Sequence, residues 1–106
     1  MDLKQSLQVV SRTGSYVVGF KESLRKIEEK KAVAVVASTK TDPTLLTKIR
    51  IFAKAMEIPV LLTNLSPAEL GLSLRKPFPT SFIAVIDPGS SDIVDQARSE
   101  TSWEKE

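Results

Sequence analysis

The 106-residue sequence contains neither cysteine nor histidine. Without cysteine it can form no disulfide framework and no thiolate metal site, and an intracellular compartment is the simpler expectation. Without histidine as well, catalysis by a Ser-His or Cys-His pair is excluded, and the usual zinc sites go with it. Long apolar runs are also missing. The longest, AVAVVA (32–37) and FIAVI (82–86), fall far short of the roughly 18 residues a membrane span needs. MDLKQSLQ at the start lacks the apolar core of a signal peptide. Neither common glycine fingerprint for phosphate is present. The carboxylates Asp42, Glu57, Glu69 and Asp87 fall at the ends of predicted elements, where caps and turns account for them. The expectation is a soluble cytoplasmic protein that is not an enzyme and carries no metal or cofactor.

What the chain does have is enough apolar material, 42% of its residues, for one modest core and one domain. Its net charge of +2 hides an asymmetry: residues 1–86 carry 13 lysines and arginines against 7 acids, whereas residues 87–106 carry 2 against 6. A basic body with an acidic tail suits a polyanionic partner, or equally an ordinary solvated surface.

Periodicity alternates along the chain. Leu3, Leu7 and Val10 at helical spacing predict a helix over 2–12; Tyr16, Val17 and Val18 predict a short strand; from Gly19 the pattern is helical through Leu24 and Ile27 to about Lys30. AVAVVAS is an unbroken apolar strand, expected to be covered on both faces. Asp42-Pro43 supplies a cap and a first-turn proline for a helix striped by Leu46, Ile49, Phe52, Ala53 and Met56. Pro59–Thr63 is the next strand. Ser66 and Glu69 form a capping box for a short helix to about Leu74, and Phe82–Asp87 is a last strand closed by Asp87-Pro88-Gly89. The predicted fold class is α/β, a three-layer α/β/α sandwich around a four-stranded mixed sheet. Residues 1–95 are read as one domain. Residues 96–106 are read as an acidic tail, polar from about residue 95 and frayed or ordered by a partner, in which Trp103 has no evident task.

Two stretches carry candidate binding chemistry. In GSYVVGFKESLRK (14–26), Gly19 opens a helix whose first amides lack partners, a setting that attracts phosphate, and it lets a polymer approach the backbone closely. Lys21 and Arg25, four apart, share a face of that helix. The plainer alternative is a turn glycine followed by solvated charges. In RKPFPTS (75–81), prolines on either side hold Phe78 out of a sheet ladder. An exposed ring beside Arg75 and Lys76 suits an unstacked base and its phosphates. The alternative is that Phe78 caps the core.

TGSYVVGFKESL, then VAST, IPVLLT, ELG (69–71), KPF (76–78) and AVIDPGSSDIV occur in one order and spacing. In these the chain resembles the ribosomal protein thirty family of the archaeal and eukaryotic large subunit, within the superfamily that binds RNA kink-turns. The resemblance covers roughly residues 3–95. It implies recognition of an internal loop where a short bulge beside sheared G·A pairs folds the RNA sharply. The implied contacts come from the turn into the second helix, the loop after the second strand and the loop after the fourth helix. The family's glycine-aromatic-lysine falls on Gly19, Phe20 and Lys21, with Phe20 supporting the turn from its less exposed side. Its loop lysine and phenylalanine fall on Lys76 and Phe78. Its polar residue after the second strand falls on Thr39, where asparagine is common; threonine shortens the reach and offers one hydroxyl in place of an amide. Lys40-Thr41-Asp42 is about one residue longer than usual, and Arg75 stands where a second glycine is common, adding rim charge suited to the RNA backbone.

The implied partners are ribosomal RNA and neighbouring ribosomal proteins on a cytoplasmic ribosome, with no membrane and with a monomer outside the particle. Two other readings stay open. Free-standing kink-turn proteins of guide-RNA or RNA-processing particles resemble G-x-Asn-Glu-x-x-Lys at the same helix start; Glu22 fits that pattern but Lys21 replaces its asparagine. A protein-interaction module could also use the sandwich without RNA.

Overall fold

A computed structural model describes residues 2–100. Among them, strands β1 (Ser15–Val18), β2 (Ala34–Ser38), β3 (Val60–Thr63) and β4 (Phe82–Asp87) form one sheet in the order β1-β4-β2-β3. β4 is antiparallel to both β1 and β2, while β2 and β3 are parallel. The sheet is therefore mixed, as expected, and β1, β2 and β3 all run the same way. The helices are α1 (Leu3–Thr13), α2 (Phe20–Glu28), α3 (Pro43–Ala55), α4 (Pro67–Ser73) and α5 (Ile93–Glu100).

The central strands explain the three layers. Every residue of β2 is buried, and successive side chains of a strand leave on opposite faces. Ala34 and Val36, with Ile83 and Val85 of β4, pack with Leu7 and Val10 of α1, Leu70 of α4, and Ile93 and Ala97 of α5. Val35 and Ala37, with Phe82 and Ala84, pack with Ile27 of α2 and Ile49 and Ala53 of α3. Each large aliphatic chain removed from water in this way contributes about 1.5–3 kcal/mol, so two separate cores hold the helices to the sheet.

One expectation is corrected. Residues from about 95 onward were expected to be frayed or partner-ordered, yet they belong to α5 as far as Glu100. Ile93 and Ala97, four apart, are fully buried, and the Ser6 hydroxyl of α1 donates to Asp92 at 3.0 Å. Two small or branched apolar residues in an otherwise polar stretch are a weak sequence signal, but the sheet offers them a ready surface. Trp103 and the rest of the acidic tail lie outside the described residues.

Three helices end alike. Lys30, Glu57 and Arg75 follow α2, α3 and α4 with φ of 57°, 59° and 60°, the left-handed region that side chains disfavour. Each donates its N–H to a carbonyl three residues back, and the next residue donates five back: Lys31 to Lys26, Ile58 to Ala53, Lys76 to Gly71. This is the Schellman arrangement, whose left-handed position is ordinarily glycine. With only four glycines in the chain, none occupies these caps. Lys30→Gly and Glu57→Gly are each expected to raise stability by about 0.5–1 kcal/mol, since relief of strain outweighs the extra freedom of glycine in the unfolded chain. A denaturant midpoint that stays put or falls would contradict this.

Candidate nucleic-acid interface

Strand direction gathers the candidate residues. Because β1, β2 and β3 run together, their carboxyl ends deliver Gly19, Thr39 and Asn64 to one end of the sheet. The opposed strand β4 begins at that same end, so the preceding loop 75–81 is there too.

Gly19 holds φ 94° and ψ 159°, a region open essentially only to glycine. A Cβ there would meet nothing within 4 Å, so the protein itself does not fill the space above this backbone. Gly19 N–H donates to Phe82 C=O at 2.8 Å, fixing the turn to the sheet. The start of α2 is chemically bare. Asp2, Asp42 and Ser66 cap α1, α3 and α4 through side-chain oxygens, whereas no side chain caps α2. Lys21 stands in its first turn, at the positive end of the helix dipole, where a cation is disfavoured by about 0.3–1 kcal/mol. Its ammonium group has no partner among the described residues. Uncapped amides and an unpaired cation at one helix start form a site that favours an anion.

The other candidates divide. Phe20 is half-buried and sets its ring edge-on to Phe82, with centroids 5.6 Å apart, so it braces the turn. Glu22 and Arg25 are exposed and pair with each other at 3.6 Å, a surface contact worth little. Phe78 is 45% exposed and belongs to neither core; of its two readings, the presented ring is the one observed. It lines a groove of about 290 Å³ with Gly19, Phe20, Thr41 and Leu45, and an adjoining one of about 500 Å³ with Tyr16, Glu22 and Lys76. Lys21, Arg25, Thr39, Lys40 and Arg75 line neither groove. Arg75 is exposed at the left-handed end of α4, and Lys40 is exposed after β2.

Four further residues at this end, Tyr16, Thr41, Leu45 and Asn64, are not among the site residues the sequence suggests. Lys76 Nζ lies 5.7 Å from the centre of the Tyr16 ring, a cation–π contact that ties the 75–81 loop to β1. Thr41 and Leu45 line the first groove. Asn64 accepts a hydrogen bond from the Thr39 hydroxyl at 3.0 Å. Only the strand order reveals these neighbours, and no local pattern carries them. Gly71 has a steric role: a Cβ there would sit 2.1 Å from the Phe78 carbonyl oxygen. The glycine of ELG is what lets the loop bearing Phe78 lie against α4.

Comparison with known proteins agrees with this architecture. The model of the ribosomal protein L7Ae/L30e/S12e/Gadd45 family matches residues 1–95. The large ribosomal subunit protein eL30 of Aeropyrum pernix is 35% identical over 97 residues, covering 92% of this chain and 97% of its own. That of Sulfurisphaera tokodaii is 34% identical, covering 90% of each, and that of Oryza sativa subsp. japonica is 30% identical, covering 88% of this chain and 84% of its own. Among solved structures, a protein with unknown function from Bacillus halodurans C superposes with a TM-score of 0.74 at 18% identity, covering 94% of this chain and 100% of its own, a likeness of fold alone. With the family's pattern matched across residues 1–95 and its relatives covered almost end to end, the chain belongs to the ribosomal protein L7Ae/L30e/S12e/Gadd45 family.

Proposed function

We propose that this protein is a structural component of the large ribosomal subunit that binds kink-turn-like ribosomal RNA, acting on the cytoplasmic ribosome and monomeric outside it. The RNA-binding domain takes in residues 1–95 and continues to Glu100 through α5, whose Ala97 is part of the core. The relatives named large ribosomal subunit protein eL30 support the ribosomal role. The observation that carries RNA binding is the joint presentation of an uncapped α2 start, an unpaired Lys21 and an exposed Phe78 at one end of the sheet.

Each feature meets a different part of an RNA. The free amides and Lys21 attract phosphate oxygens. The empty space above Gly19 admits the sugar-phosphate backbone where it bends. The Phe78 ring offers a face to a base that the sharp turn has unstacked. Arg75, Lys76 and Lys40 add positive charge at the rim, which positions the RNA without reading its sequence. Glu22 and Arg25 extend the same helix face, and Phe20 holds the turn in place from below. No step here requires a metal, a cofactor or bond-making chemistry.

Titration with a kink-turn RNA and with a straight duplex of equal length, each at several salt concentrations, tests this reading. The kink-turn is expected to bind more tightly, with affinity falling steeply as salt rises. Equal affinity for both RNAs would count against it. Lys21→Ala is expected to weaken binding and reduce the salt slope by about one ion, whereas Lys54→Ala, at the far end of α3, is expected to do neither. The RNA that copurifies separates the alternatives: ribosomal RNA for this reading, a small guide RNA for a free-standing kink-turn protein, none for a protein-interaction module.

A further inference from the structure

The loop leaving β3 is bound into the same end of the sheet and presents a group that no described residue uses. Ser38 and Thr63 are register partners in the parallel pair β2–β3, so the residues that follow them, Thr39 and Asn64, emerge side by side. Three hydrogen bonds lace the two loops together. Thr39 N–H donates to the Thr63 carbonyl at 2.8 Å, the Ser38 hydroxyl donates to the Leu65 carbonyl at 2.8 Å, and the Thr39 hydroxyl donates to Asn64 Oδ1 at 3.0 Å. An asparagine side chain offers one acceptor oxygen and two N–H donors on a rigid plane. With Oδ1 held by Thr39, the plane is oriented and Nδ2 faces away from that bond. Among the described residues Nδ2 donates to none, and both Thr39 and Asn64 are exposed.

We infer that Asn64 is a further RNA-contacting residue, whose Nδ2 donates to a base-edge or ribose oxygen, and that Thr39 is a positioning residue that aims it. This rests on the RNA-binding reading of this end of the sheet and adds a fourth loop to it. The physical case is preorganisation. An exposed amide normally samples several orientations, and holding it in one before binding removes part of the ordering cost that a contact must otherwise offset. A neutral donor also differs from the lysines around it. It rewards a particular acceptor and releases no counterion, so its contribution is independent of salt.

The test uses the full chain and the same kink-turn RNA. Asn64→Ala is expected to lower affinity roughly tenfold, the upper range for one or two neutral hydrogen bonds, with the salt slope and the denaturant midpoint unchanged. Thr39→Val, which keeps the amide but frees its orientation, is expected to cost about two- to threefold by the same arithmetic. The Asn64 side-chain NH₂ resonances, identified by their disappearance in Asn64→Ala, are expected to shift when RNA is added to the wild type and to shift less in Thr39→Val. Affinity of Asn64→Ala within twofold of wild type, or a loss of affinity that only tracks a loss of stability, would overturn the inference. Failure of the wild type to prefer the kink-turn would instead overturn the functional reading beneath it.

Discussion

Phe78→Ala is expected to cost about 1–3 kcal/mol of kink-turn affinity, the range for removing an aromatic platform from a base, while lowering folding stability by less than about 1 kcal/mol. The second half follows from exposure. A fully buried phenylalanine truncated to alanine costs about 3–5 kcal/mol through lost burial and the cavity left behind, but 45% of Phe78 is already in water and the ring joins neither core. Denaturant midpoint and RNA affinity measured on the same folded mutant separate the two effects. A large stability loss with unchanged affinity in the folded fraction would show that the ring serves the fold instead of the RNA.

Gly71→Ala is expected to damage both properties at once. Within a helix, glycine to alanine ordinarily gains about 1 kcal/mol. Here the added methyl would lie 2.1 Å from the backbone oxygen of Phe78, a contact that no rotamer change can relieve. Either α4 tilts out of a site where Leu70 and Leu74 are buried, or the 75–81 loop is pushed away. Overpacking of this kind costs about 1–3 kcal/mol, enough to cancel the helix gain and reverse its sign. Because the displaced atoms belong to Phe78 itself, affinity is expected to fall about as far as in Phe78→Ala. A stabilised Gly71→Ala protein with wild-type RNA binding would refute the steric role.

The sequence made some of this legible and concealed the rest for identifiable reasons. β4 was readable to the residue because Asp87-Pro88-Gly89 closes its apolar run, and α4 because Ser66 and Glu69 form the capping box seen in the structure. Local signals of this kind act over a few residues. The exposure of Phe78 was also anticipated, since flanking prolines are a local restraint. Strand order is not local. Nothing near Thr39 indicates that Asn64, 25 residues later, will stand beside it, nor does β1 foretell that Lys76 will cover Tyr16. The left-handed caps at Lys30, Glu57 and Arg75 were hidden for the opposite reason: the usual glycine marker is missing, and the lysine, glutamate and arginine in its place carry no local signal for a positive φ. α5 was missed because its two buried residues are outnumbered by polar ones.

The strand order β1-β4-β2-β3 also has a consequence for how the protein is made. Among the described strands β1 comes first along the chain, yet its partner there comes last: Val18 pairs with Ile83. Until β4 has been translated, β2 and β3 are, among the described strands, the pair that can form its final register, and α1 lacks the hydrogen bonds it makes with Ser91 and Asp92. Insertion of β4 then joins β1 to β2 in a single event that closes loops of long sequence separation, the slow kind of step in folding. Lys76 and Phe78 directly precede that strand. The described sheet and the proposed RNA-binding end are therefore completed together, once β4 is in place, and a chain that still lacks β4 does not present that end in its final geometry.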